Sequence, residues 1–154
     1  MLSGPALAAV LRQSHFQLKR HASDLDERAQ PYQITERAAL GPTWQYGEDA
    51  DPVRYHDGQC LVLADGRSVI IELQIVFTED RVTVEGRLGV EADDHNDGGA
   101  FGLLVDVGPR RARTDQEAVT AIRETVAEIL SRPSLLEELG VPVRQRDQPA
   151  GASG

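Results

Sequence analysis

The side chains that could perform chemistry are one cysteine, four histidines and several acidic groups. His15 and His21 lie six residues apart on one predicted helix, whereas a metal shared by two helical histidines needs a spacing of about four. His21 also lies on the apolar stripe of that helix, so we interpret it as a hydrogen-bonded core residue. Cys60 lies on a strand side predicted to face the core, and apolar surroundings raise the pKa of a thiol. It is interpreted as a structural thiol, and no catalytic residue is predicted.

The loop around His95 begins like a calcium-binding loop. Asp93, His95 and Asp97 occupy its first, third and fifth positions, and Gly98 occupies the sixth. The twelfth position of such a loop needs a bidentate Glu, but here it is Leu104. The sequence therefore predicts a solvated loop rich in turn formers, with no metal and no cofactor.

Three arginines, Arg110, Arg111 and Arg113, come just before a predicted helix that begins near Asp115. Cations beside the first turn of a helix can hold a phosphate or another anion. Asp115 already complements the helix dipole there, and no glycine-rich phosphate loop accompanies the arginines. We keep the three arginines as a candidate anion site.

A small enzyme or a small-ligand-binding protein is the alternative function that the sequence leaves open. Segment 31–58 combines aromatic and acidic side chains, and a pair of carboxylates can carry out acid–base chemistry. A pocket between this segment and the sheet would be lined by Trp44, Tyr46, Tyr55, His56 and Glu72.

The first element that positions these residues is a long helix over residues 4–29. Its apolar stripe recurs at spacings of three and four, and Val10 and Phe16 are expected to widen it. The stripe consists of Leu7, Leu11, Ser14, Leu18, His21 and Leu25. Segment 31–58 is expected to be rich in loops, with one short strand near Thr43–Tyr46.

Two hairpins follow, and the second has the more consistent pattern. If Glu79-Asp80 is a two-residue loop, Thr78 lies opposite Arg81. This register pairs apolar residues with apolar ones and a carboxylate with a guanidinium. The predicted pairs are Ile75 with Val84, Ile71 with Leu88, Val69 with Val90, and Glu72 with Arg87.

The first hairpin is predicted from Asp65-Gly66, which suits a two-residue turn. That register places Val62 opposite Val69, and Cys60 opposite Ile71 in the core. It puts several apolar side chains on the sheet face that water should cover. This predicted outer patch consists of Leu61, Leu63, Ile70 and Val76.

The C-terminal part predicts a fourth strand at 100–107, ended by Pro109, and a helix over 115–131. Thr114 and Glu117 form a capping box for this helix. A short helix over 134–140 and a flexible tail over 144–154 complete the prediction. The expected fold is α+β: a long N-terminal helix, a four- to five-stranded antiparallel meander and a C-terminal helix packed on the sheet, in one domain over 1–143.

Composition bounds the function. A chain of 154 residues suits one domain, and its net charge of −9 disfavours nucleic acid as a partner. No apolar run is long enough to span a bilayer, and the single cysteine excludes an internal disulfide, which fits the cytoplasm. We therefore expect a non-catalytic protein-binding module (adaptor-, chaperone- or immunity-like) that uses the outer patch to bind another protein or a second copy as a homodimer.

Overall fold

The computed structural model describes residues 5–28, 34–92 and 104–131. Helix α1 spans Pro5–Arg28 and helix α2 spans Asp115–Leu130. Six strands lie between them: β1 (Ile34–Ala39), β2 (Thr43–Tyr46), β3 (Val53–Leu63), β4 (Arg67–Phe77), β5 (Val82–Ala92) and β6 (Leu104–Ala112). A short 3-10 turn, Glu48–Ala50, lies between β2 and β3.

The strands form one antiparallel sheet in the order β1-β3-β4-β5-β6, and β2 pairs with the first part of β3. β1 and β2 therefore lie end to end along one edge, separated by Leu40, Gly41 and Pro42. The predicted α+β class, with a helix before the sheet and a helix packed on it, is confirmed. The strand at Thr43–Tyr46 has the predicted bounds, whereas β1 was not predicted.

Both helices cover the same face of the sheet. Helix α1 packs on β3 and β4, α2 packs on β5 and β6, and the helices contact each other. Four alternate residues in the middle of β4 are directed at the helices and are at most 2% exposed. These residues are Val69, Ile71, Leu73 and Ile75, and we call the side they occupy the inner face.

The predicted stripe of α1 is confirmed at Leu11, Ser14, Leu18 and Leu25, which are buried. Val10 widens it as expected, but Phe16 does not, since it is 62% exposed. Two residues correspond to about 200° of rotation around a helix, so Phe16 lies nearly opposite Leu18.

The register predicted for the second hairpin is confirmed. The Thr78 amide donates to the Arg81 carbonyl at 2.9 Å, and the predicted pairs along β4 and β5 all form. The strands agree with the pattern because each apolar pair lies on the inner face.

The register predicted for the first hairpin is wrong by one residue. Leu61, not Val62, lies opposite Val69, because the loop contains three residues, 64–66. Gly66 supplies the positive φ of 87° that the third residue of such a loop adopts, and the Asp65 carboxylate accepts from the Arg67 amide. A shift of one residue moves every β3 side chain to the opposite face.

Strand β6 continues past Pro109, contrary to the prediction. The register shifts between Val84 and Gly86, so that Gly108 and Pro109 bulge opposite a single residue of β5. A bulge on an edge strand is one of the few places where a sheet accepts proline. Gly86 lies just beyond the bulge, where a Cβ would lie 2.6 Å from Ile129 Cδ1 of α2.

Helix α2 begins as predicted. The Thr114 hydroxyl accepts from the Glu117 amide at 3.2 Å, and the buried stripe is the predicted one, with its last member partly buried. The stripe consists of Val119, Ile122, Val126, Ile129 and Leu130. The predicted helix over 134–140, the tail over 144–154, the loop around His95 and the start of the fourth strand lie outside the described residues. Neither described helix has the length and apolarity that a membrane span needs.

Candidate protein-interaction site

The predicted outer patch does not exist as one surface. Leu61 and Leu63 are 2% and 1% exposed and lie on the inner face, because of the one-residue change in register. Ile70 and Val76 do lie on the opposite, outer face and are half-buried. They are six residues apart on β4, which is roughly 20 Å of extended chain.

Charged side chains separate Ile70 from Val76 on the outer face. Glu72 lies 3.3 Å from His56 Nδ1 and 4.0 Å from an Arg87 nitrogen, and Arg87 lies 3.4 Å from Asp106. We call His56, Glu72, Arg87 and Asp106 the polar strip. It crosses β3, β4, β5 and β6, as expected for a sheet face in contact with water.

The five residues of the predicted ligand pocket lie on two different faces, so their grouping in one pocket is wrong. His56 and Glu72 belong to the polar strip on the outer face. Trp44 and Tyr55 pair across β2 and β3 on the inner side, and Tyr46 lies two residues from Trp44 on the same side.

Trp44 and Tyr46 form an exposed surface that we call the aromatic edge. Their exposed fractions are 47% and 69%. The Trp44 ring packs edge-on against Tyr55, with 4.9 Å between centroids, and stacks on Phe77 at 5.9 Å. The indole is thus held by two rings beneath it while nearly half of its surface remains open to solvent.

A buried polar cluster lies beside the aromatic edge. Asp57 is 0% exposed, and its carboxylate accepts from the Tyr55 hydroxyl at 3.1 Å. His15 Nδ1, from α1, lies 2.9 Å and 3.1 Å from the two Asp57 oxygens. A buried carboxylate is tolerated only when it is paired and hydrogen-bonded, and these two partners provide this.

The cluster fixes both the protonation of Tyr55 and the position of α1. Burial, followed by the negative charge of Asp57, raises the pKa of the Tyr55 hydroxyl, so that it stays a donor. His15 joins α1 to β3, and three-quarters of its side chain is covered. The cluster therefore holds α1 against β3, next to the aromatic edge.

Cys60 lies on the outer face opposite Ile70, not in the core as predicted. Its side chain is half-buried, and burial is the main cause that raises the pKa of the thiol. A raised pKa lowers the thiolate fraction at neutral pH, in line with a structural role.

Of the three arginines of the candidate anion site, Arg110 is engaged by carboxylates of the protein itself. Arg110 donates to Glu128 at 2.7 Å and to the Thr125 hydroxyl at 3.1 Å, and its Nε lies 3.4 Å from Glu124. These contacts attach β6 to α2. Arg111 and Arg113 are exposed, and the Arg113 amide donates to Glu117.

Within residues 5–28, 34–92 and 104–131, no three His, Cys, Asp or Glu side chains are grouped as metal ligands would be.

The residues of the site that were not predicted from the sequence are His15 and Asp57. Asp57 falls in segment 31–58, which was expected to be rich in loops, although Tyr55, Asp57, Leu61 and Leu63 occupy positions of the same strand face. That pattern becomes visible once the hairpin loop is given three residues.

Comparisons with protein-family models, with curated proteins and with solved structures found no match. The candidate site is therefore defined by its own geometry: an exposed pair of aromatic side chains on an edge strand, supported by a buried carboxylate cluster.

Proposed function

We propose that the protein is a non-catalytic binding module and that the aromatic edge, Trp44 and Tyr46, is its contact with another protein. This surface replaces the outer patch that the sequence suggested, because two of the four residues of that patch belong to the core.

The observation that supports the proposal is the exposure of a tryptophan whose position is fixed. Tryptophan and tyrosine carry much of the binding energy in protein interfaces, and such residues bind best when they are already held in place. Trp44 is held by Tyr55 and Phe77, while 47% of it is open to solvent. Burying that surface under a partner would remove a large apolar area from contact with water, which favours binding.

The class of partner follows from charge. A net charge of −9 disfavours nucleic acid and favours a protein with a basic contact surface. The same charge opposes association of two copies, so a homodimer is the less favoured form of the proposal.

A cytoplasmic location is part of the proposal and is supported by the single, half-buried thiol of Cys60.

The test is capture of a partner from the source lysate by three tagged proteins: the parent, a Trp44→Ala/Tyr46→Ala variant and a Phe16→Ala variant. Phe16 is the matched control, since it is an aromatic residue 62% exposed on the far side of α1. We expect the same protein to be recovered with the parent and with Phe16→Ala, and recovery with the double variant to be at least about tenfold lower.

Circular dichroism of each variant checks folding. Tyr46→Ala alone serves as a second variant, because 69% of Tyr46 is exposed and its loss disturbs the core least. Equal recovery with all variants would contradict the proposal, and so would the absence of any protein that depends on the aromatic edge.

A further inference from the structure

The aromatic edge also presents free backbone groups. Gly47 donates to the Pro52 carbonyl at 3.0 Å, in register with the β2–β3 ladder. Hydrogen-bonded and non-hydrogen-bonded pairs alternate along an antiparallel ladder, so Gln45 and Thr43 also bond to β3. The amides and carbonyls of Trp44 and Tyr46 are consequently directed away from β3. Among the described strands, none pairs with β2 on that side.

The other edge segments contain a proline bulge, a register irregularity or charged side chains, and the short strand β2 contains none of these. β6 contains the Pro109 bulge, and β1 has a register irregularity near Ile34 and charged residues at Glu36 and Arg37. Prolines, bulges and charges are the usual protection of sheet edges. β2 contains only Thr, Trp, Gln and Tyr, and all four residues are exposed.

The charge beside β2 is negative. Glu48, Asp49 and Asp51 follow the strand, and all three are exposed; we call them the acidic turn. The turn begins two residues after Tyr46, which is roughly 7 Å of extended chain, and electrostatic screening acts over about 8 Å at physiological ionic strength. The exposed cation of this hairpin, Arg54, pairs with Gln45 on the outer face, away from the aromatic edge.

We propose that β2 binds an extended, basic segment of a partner protein as an added β-strand. This inference rests on the proposed function and specifies its mode. The backbone of the added strand hydrogen-bonds to Trp44 and Tyr46. Arginine or lysine side chains at alternate positions of that strand lie over the two rings and near the acidic turn. Main-chain pairing supplies affinity in this mode, and the alternate side chains supply specificity.

The experiment measures the emission of Trp44, the single tryptophan of the chain, during titration with capped eight-residue peptides. The first peptide alternates valine and arginine, and the second has glutamate in place of arginine. We expect a saturable change with the first and at least about tenfold weaker binding of the second. Equal binding of both peptides, or no saturable change with the first, would overturn the proposal.

Two methylated peptides test the backbone pairing. With the added strand antiparallel to β2 and its arginines on the side of the aromatic edge, the arginine amides face β2 and the valine amides face away. Methylation of the arginine amides should weaken binding at least about tenfold, and methylation of the valine amides should change it by less than about threefold. Equal weakening by both methylations would exclude strand addition.

Protein variants test the charge. Glu48→Gln/Asp49→Asn removes two charges of the acidic turn, and Glu27→Gln/Glu79→Gln removes two exposed charges elsewhere. We expect weaker binding and a smaller salt dependence for the first pair only, and equal behaviour of the two pairs would contradict the role of the turn.

A dimer of the parent that Tyr46→Ala abolishes would place a second copy on the aromatic edge and overturn the proposal. Loss of the captured partner on mutation of the aromatic edge, without binding of these peptides, would leave the binding function intact and reject only its mode.

Discussion

Asp57 is a carboxylate enclosed by an apolar core, with one partner from the same strand and one from a helix. Its position brings together residues 42 apart in the chain, because His15 reaches it from α1. Tyr55 donates to it from two residues away. A buried polar cluster of this kind specifies how α1 sits on the sheet, since another placement of the helix would remove His15 from the buried carboxylate.

Replacement of Asp57 by Ala should lower the free energy of unfolding by about 2–3 kcal/mol, because a cavity forms and the buried Tyr55 and the partly buried His15 lose their partner. Urea denaturation measures this. Asp106→Ala is the matched control: the Asp106 side chain is 75% exposed, and its removal should cost less than about 0.5 kcal/mol. A cost for Asp57→Ala as small as that of the control would show that the cluster contributes little to stability.

The two hairpins show what sequence patterns can determine at the scale of elements. β4 and β5 carry apolar residues at alternate positions, and only one register places the apolar residues of the two strands opposite each other. Glu72 opposite Arg87 agrees with that register. β3 carries apolar residues at consecutive positions, Cys60–Leu63, so either face could have been inner. The number of loop residues decides which face of β3 is the inner one. Asp65-Gly66 is compatible with a loop of two residues and with a loop of three, so the sequence does not choose between them.

The three-residue loop depends on the positive φ of Gly66. A Cβ there would meet no atom within 4 Å, so a substitution tests backbone conformation alone. Gly66→Ala should destabilise the protein by about 1 kcal/mol, whereas Gly66→Asn should cost less, because asparagine tolerates this conformation better. Thermal unfolding compares the two variants. Equal costs would indicate that the conformation of Gly66 is not what sets the loop.

At the scale of the whole molecule, the class, helices α1 and α2 and the existence of five of the six described strands were predictable, from apolar patterns and turn residues. The candidate site was not. Trp44 and Tyr46 were predicted to line a pocket against the sheet, but the sheet face on which they lie depends on the register of β3. The His15–Asp57 contact joins distant parts of the chain, and no local pattern encodes such a contact.

Stability of the whole protein at alkaline pH should depend on Tyr55. Its pKa is raised in the folded state, so the stability it contributes is complete below the pKa of an unfolded tyrosine, about 10, and falls as the pH rises above it. Tyr55→Phe lacks this contribution. Between about pH 9 and 11 the free energy of unfolding should therefore fall less steeply in the variant than in the parent, by about 1 kcal/mol.

Urea titrations across this range measure the difference. The raised pKa of Cys60 adds an alkaline contribution of the same sign to both proteins, so it cancels in the comparison. Tyr46→Phe is the matched control, because 69% of Tyr46 is exposed, and its curve should run parallel to that of the parent. A Tyr55→Phe curve parallel to that of the parent would show that folding does not raise the pKa of Tyr55.

The order of the strands has a consequence for the kinetics of folding. From β3 to β6 each strand pairs with the strand before it in the chain, and the loops of the β3–β4 and β4–β5 hairpins are short. Closing these hairpins costs little chain entropy, so that part of the sheet can begin to assemble from neighbouring segments. The contact between α1 and α2 joins the first and the last of the described elements and closes the longest loop between them. The strands of the inner face can therefore pair early, but the half of that face on β5 and β6 is covered only after α2 has formed.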